Sequence, residues 1–268
     1  MHQDVDSLFA AMWQDYISMT PSAAKVHQLL GQGNAIINDH IALRTFNLPK
    51  VGLEVLAAHF IELGYQACGD YRFEQKKLRA KHFEHPDETQ PKVFISELLV
   101  EEFSPWLQQT VAQLVAQIPD EAISADDFLY SGRHWAMDYA TYSRLLEESE
   151  YAAWVAAFGY RANHFTVSVN HLAGFSTLEA VNEALKAAGF VLNSAGGEIK
   201  GSAAVLLEQS STMADRIPVA FGDRTVEIPS CFYEFARRYP KADGKLYTGF
   251  VAASADKIFE STNAKSES

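Results

Sequence analysis

Along the opening of the chain, Val5, Leu8, Phe9, Met12, Trp13 and Tyr16 recur at helical spacing and predict an amphipathic first helix. A second, short helix follows Pro21 and ends near Gly31. The run from Asp39 to Phe46 reads as a strand, with a turn marked by Pro49 and Gly52. Leu53, Leu56, Ala57, Phe60 and Leu63 trace a helix that stops at Gly64-Tyr65. Three β-like runs come next: Gln66 to Phe73, Lys77 to Glu84, and Lys92 to Leu98. The stretch His85-Pro86-Asp87-Glu88 is turn chemistry between the last two.

The same order returns in the second half. Asn163 to Val169 reads as a strand, and Ser176-Thr177-Leu178-Glu179 as a capping box. Leu178, Val181, Leu185 and Ala188 form one helix face, which stops at Gly189-Phe190. Strands are expected over Phe190 to Asn193, Ala203 to Gln209, Ile217 to Phe221, and Val226 to Phe235. His40 lies 24 residues before Gly64, and His164 lies 25 before Gly189. Each histidine follows Asp or Asn and opens a strand. Each unit closes on a strand carrying a glutamate, Glu97 in the first and Glu234 in the second. A repeat of this kind constrains the whole fold. The expected class is α+β: duplicated β-α-β-β-β modules forming a curved sheet around a metal cavity, with added helices.

Residues 1–37 are then N-terminal helices, 38–100 the first module, 101–160 a helical insertion, 161–240 the second module and 241–268 a C-terminal tail, all in one domain. In the insertion, Ser104 caps a helix with Pro105 at its first position. A second helix is expected from Tyr139 to Phe158, and Asp120 to Asp138 between them is irregular. The end, from about Ser261, is polar and expected to fray.

Composition narrows the function. The chain has 268 residues, 22 Lys plus Arg against 34 Asp plus Glu, and a net charge of -12. No basic block is present, which argues against nucleic acid as a partner. No apolar run approaches the roughly 20 residues that span a bilayer. The start, MHQDVDSLFAAMWQDY, lacks the basic and apolar regions of a signal peptide. Cys68 and Cys231 form neither a CxxC pair nor a disulfide framework. A cytoplasmic setting is expected, and the oligomeric state is not legible.

A lone histidine on a strand is more often structural than a ligand. Two at matching positions of a duplicated unit can converge near its pseudo-twofold axis. A carboxylate then completes a set of two His and one carboxylate, the arrangement suited to non-haem Fe(II). Glu97 and Glu234 are the two candidates by symmetry. Arg44 lies four residues after His40, so both side chains face one side of the strand. A guanidinium there suits an anionic group, held bidentately, although a structural salt bridge would explain it equally well. Ser211 and Thr212 lie in a hydroxyl-rich run that could line a polar pocket. Arg133 lies in the irregular segment. His82 and His85 flank a turn and are assigned no role. No GxSxG elbow, Walker A loop or GxGxxG loop is present.

The duplicated unit with His, His and Glu resembles the vicinal oxygen chelate superfamily. More narrowly, it resembles the 2-oxoadipate dioxygenase/decarboxylase (hydroxyglutarate synthase) family. The matching pieces are His40 to Phe46, Asn163-His164, Leu207 to Asp215, and Ser230 to Arg238. The resemblance implies iron held by His40, His164 and Glu234, which favours Glu234 over Glu97. It implies that Arg44 holds the substrate's distal carboxylate, with Arg133 a candidate for a second contact. Fe(II) is the implied cofactor, with another divalent ion fitting the same donors. A small 2-oxo acid and O2 are the implied partners, and 2-hydroxyglutarate and CO2 the products. Two alternatives remain: an oxygen-independent isomerase or lyase of glyoxalase type, and a non-catalytic binder of small carboxylates.

Overall fold

A computed structural model describes residue 2 and residues 4–263. Helices α1 (Val5–Met19) and α2 (Pro21–Gly31) lead into β1 (Asn38–Phe46), α3 (Leu53–Ile61), β2 (Gln66–Phe73), β3 (Leu78–Glu84) and β4 (Lys92–Leu98). The insertion carries α4 (Pro105–Ala116), α5 (Asp120–Ile123), α6 (Tyr139–Glu148) and α7 (Glu150–Phe158). The second half runs β5 (Ala162–Ser168), α8 (Leu178–Ala187), β6 (Lys200–Ser202), β7 (Leu207–Ser211), β8 (Arg216–Ala220), β9 (Thr225–Pro229) and β10 (Phe232–Arg238). A last helix, α9 (Ala252–Ile258), leads into a 3-10 turn at Phe259–Thr262. Among the described residues no helix is long and apolar enough to cross a membrane.

The main sheet has eight strands in the order β2-β3-β4-β1-β5-β10-β7-β6. β1 pairs β4 in parallel and β5 pairs β10 in parallel, while β1 and β5 meet antiparallel in the middle. Each half of the sheet thus has the same internal order, and the expected duplication is present. Its helices end alike: Gly64 and Gly189 take φ of +101° and +88°, a region that favours glycine. The next N–H donates back over the helix end in both, Tyr65 to Phe60 and Phe190 to Leu185.

Alternation along the strands divides the sheet's faces. Phe165 and Tyr233 point to one side, where Trp13 and Tyr16 of α1 pack on Phe165 at ring distances of 5.1 and 4.9 Å. His40, Arg44, His164 and Glu234 point to the other side, into the curve of the sheet.

Several expected elements differ in detail. The helix over Tyr139 to Phe158 breaks at Ser149, whose extended backbone ends α6 and whose side chain caps α7. The capping residue of α8 is Thr177 rather than Ser176, so Glu179 falls one place short of the reciprocal position. Val226 to Phe235 is two strands: β9 pairs only with β8, and the chain crosses at Ser230-Cys231 to join the main sheet as β10. Pro229, with no N–H to offer a ladder, stands at that break. The run from Ala203 begins as a 3-10 turn and becomes strand only at Leu207. Of Phe190 to Asn193, one bridge forms, Leu192 to Thr212. The C-terminal segment is no frayed end up to Thr262: Ser261 and Thr262 are buried against the sheet. The rest of the predicted frayed stretch, 264–268, lies outside the described residues.

Candidate metal and substrate site

Three adjacent strands each place one side chain at the same point. His40 of β1, His164 of β5 and Glu234 of β10 are all buried. Glu234 Oε2 is 3.1 Å from His164 Nε2, and Oε1 is 3.5 Å from His40 Nε2. The two imidazoles stand 5.6 Å apart and nearly perpendicular, at 84°. Donors about 2.1 Å from a shared ion stand about 3 Å apart, so these spacings fit one divalent metal after small shifts. The donor types, two imidazoles and a carboxylate, fit the same conclusion.

The far nitrogen of each imidazole is already engaged. His40 Nδ1 is 2.8 Å from Asp39 Oδ1, and His164 Nδ1 is 3.0 Å from Asn163 Oδ1. Partners of this kind fix a ring's orientation and leave Nε2 for the metal. Asp39 is itself gripped by Arg238, at 2.7 and 2.9 Å. Burial pushes the Asp39 carboxyl up, but Arg238 and His40 outweigh it and hold it well below the usual range. Glu234 is also held low: burial opposes ionisation, and the two imidazoles and the Gln209 amide, 2.6 Å away, overcome it. Burial lowers the His164 pKa more than Glu234 raises it, which favours the neutral ring that a metal requires.

Arg44 sits on the same face, four residues along β1. At about 3.3 Å per residue its Cα is about 13 Å from that of His40. The guanidinium is buried beneath Tyr151, Trp154 and Phe259, 5.1–5.4 Å from each ring. Nη2 donates to Thr262 Oγ1 at 3.0 Å. Glu150 Oε1 is 3.6 Å from Nη1, too far for a hydrogen bond. Nε and Nη1 have no hydrogen-bond partner among the described residues. Unmet buried donors on a cation are costly, and an anionic ligand would offset that cost.

The remaining predicted residues are placed differently. Ser211 stands opposite Glu234 on β7, but its hydroxyl is engaged with Ser261 at 2.8 Å. Thr212 accepts the Tyr233 N–H through Oγ1, 3.1 Å, and so holds a strand rather than the cavity. Arg133 lies outside the cavity: it donates to the Ala220 carbonyl at 2.6 Å and packs on Phe221. Glu97 points to the opposite face, where it accepts from Leu53 N–H at 2.7 Å and pairs with Arg79 at 2.6 Å. The symmetry argument for it fails by register. Thr166 pairs with Glu234, and its equivalent Ala42 pairs with Phe94, so Phe94 is the counterpart of Glu234. His82 is not an exposed turn residue; it is buried between Tyr71 and Glu84.

Several cavity residues were missed. Asp39 and Asn163 carried a signal, the acidic or amide residue before each histidine. Gln209 lay inside the hydroxyl-rich run. Phe250, Ile258 and Phe259, which close the cavity, carried none.

Similarity to known proteins identifies the family. The family model described as 2-oxoadipate dioxygenase/decarboxylase matches residues 3–241. A rice protein, 2-oxoadipate dioxygenase/decarboxylase, chloroplastic/amyloplastic, is 35% identical over 284 residues, 96% of this chain and 78% of its own length. A crystal structure of hydroxyglutarate synthase from Oryza sativa in complex with 2-oxoadipate matches with TM-score 0.89 and 35% identity, covering 96% of this chain and 91% of that one. A Shewanella frigidimarina protein whose crystal structure carries a provisional hydrolase label matches with TM-score 0.92 and 72% identity, covering 94% and 100%. With matches of this extent, and a His-His-Glu centre at the junction of its two modules, the chain belongs to the 2-oxoadipate dioxygenase/decarboxylase family.

Proposed function

We propose that this chain is a non-haem Fe(II) enzyme that oxidatively decarboxylates a 2-oxo dicarboxylic acid, with 2-oxoadipate, O2, 2-hydroxyglutarate and CO2 as substrates and products. The observation that carries the reading is the pairing of a His-His-Glu donor set with a buried, under-satisfied arginine on one strand face. His40, His164 and Glu234 would hold the ion. Bound iron would supply the redox chemistry and the open positions for the 2-oxo acid and oxygen. Arg44 takes the distal carboxylate through its guanidinium, and this fixes the acid's length and direction. Tyr151, Trp154, Phe250 and Phe259 exclude water around it. The rice complex with 2-oxoadipate supports the substrate class. Neither free cysteine favours a thiolate: burial pushes the Cys231 thiol up to about 12 and also raises that of Cys68. A reducing, cytoplasmic location suits the two free cysteines.

The test compares substrates. Arg44→Ala should raise KM for 2-oxoadipate by about 10–100-fold, the range for a lost charge-assisted bond. KM for 2-oxohexanoate, which lacks the distal carboxylate, should change little. Equal effects on the two acids would remove Arg44 from recognition. In parallel, His164→Ala should abolish tight metal binding; metal content near wild type would sink the ligand assignment.

A further inference from the structure

Between His40, His164, Glu234 and Arg44 the cavity leaves about 20 Å³ accessible to water, too little for a six-carbon diacid. Substrate can enter only if part of this lining moves, and Phe250, Ala255, Ile258 and Phe259 of one C-terminal segment make up much of it. That segment begins beyond β10, and its Phe250 ring lies 4.8 Å from the His40 ring at 90°.

One side chain ties the segment to the metal site. Arg238, the last residue of β10, is buried. Its Nε and Nη2 hold the two Asp39 oxygens. Its Nη1 donates to the carbonyls of Tyr247, 2.9 Å, and Gly249, 2.7 Å. Phe250 lies against its guanidinium at 5.1 Å. Asp39 in turn holds His40 Nδ1. The other module offers a comparison. Asn163, the counterpart of Asp39, holds His164 as a neutral amide, and its own Nδ2 has no hydrogen-bond partner among the described residues. The charged version occurs in the module whose histidine the strap covers. A planar fork with five donors can make all four of these bonds at once, one more than the three donors of an ammonium allow. A buried ion pair is in itself weak evidence of a stabilising role, so its use here is sought in position.

We propose that Arg238 is a positioning residue that couples the seating of the Tyr247–Phe250 strap to the orientation of His40 through Asp39. This rests on the reading of His40 as a metal ligand. Coupling is reciprocal: strap seating firms the metal site, and metal at the site holds the strap down.

The probe is Co(II), used without oxygen, and the readouts are its dissociation constant and the rate of tryptic cleavage after Lys241 and Lys245, both exposed beside the strap. In wild type, Co(II) should slow cleavage several-fold. Arg238→Gln should weaken Co(II) by about 10–100-fold, as loss of a ligand's supporting partner does, and saturating Co(II) should no longer slow cleavage. Arg238→Lys should not rescue either effect. Asp39→Asn removes the charge and puts an NH2 in place of an oxygen that accepts from Arg238, so it weakens the same link from the other side; it should also abolish the metal's protection, which keeps the test available should Arg238→Gln not fold. In the Asp39→Asn, Arg238→Gln double variant the loss of affinity should not exceed that of the worse single variant. Cleavage indifferent to Co(II) in wild type, protection kept in both single variants, or additive losses would each overturn the proposal. A merely structural role would speed cleavage equally with and without metal. Co(II) affinity in wild type no better than in His164→Ala would instead remove the ligand reading, and the coupling with it.

Discussion

Glu234 has been taken out of water and given new partners: two imidazoles and the Gln209 amide. The amide bond is short, 2.6 Å, and fixes which carboxylate oxygen faces which ring. Gln209→Leu keeps the packing and removes that restraint. It should weaken metal binding by about 10–100-fold, read by titration under anaerobic conditions; unchanged affinity would show that the strands alone fix Glu234. A second residue on this flank is Lys200, paired with Gln209 across β6 and β7. Burial lowers its pKa to about 8, against the pull of Glu234. Its folded value lies below its unfolded one, so the unfolded chain binds more protons between about pH 8 and 10.5. Stability from this group is thus present above the unfolded value and lost as pH falls through 8. Wild type should gain stability relative to Lys200→Met between pH 8 and 10, measured by urea unfolding. A difference that does not vary with pH would contradict the shift.

At the scale of elements, the register of β4 separates the two glutamates that the repeat alone could not. Glu97 is odd-numbered relative to Phe94 and Ser96, so it faces α3 and not the cavity. There it fills one of the open N–H groups at the start of that helix. Glu97→Gln should cost about 1–3 kcal/mol of stability, the range for weakening a buried charged acceptor. Metal content should stay at the wild-type level; a loss of metal would return Glu97 to the site. The case also shows what was legible. His40, His164 and Arg44 could be read because strand alternation and a 124-residue offset place them without knowledge of the partner strands. The choice of carboxylate depended on pairing between distant strands, which alternation does not contain. The Ser149 break in the insertion escaped for a related reason. Apolar spacing runs across it, and only the cap at the start of α7 marks the new helix.

At the scale of the molecule, the two modules supply His40, His164 and Glu234, and the pieces outside them close the cavity. Tyr151 and Trp154 come from the insertion, and Phe250, Phe259 and Thr262 from beyond β10. A polar C-terminal stretch reads as an end in the sequence, because its burial depends on contacts with β7 and β1, 50 and 218 residues away. The curved sheet alone would leave Arg44 open to water, where a carboxylate is bound weakly. Covered by aromatics, the same arginine would, on the proposed reading, gauge the length of a diacid.

The measurement that tests this account most directly is oxygen uptake by protein reconstituted anaerobically with Fe(II) and then given 2-oxoadipate, with 2-hydroxyglutarate and CO2 assayed at the end. The account predicts uptake coupled to 2-hydroxyglutarate formation, with both lost in Glu234→Ala. Iron-loaded protein that consumes no oxygen and forms no 2-hydroxyglutarate from 2-oxoadipate would contradict it.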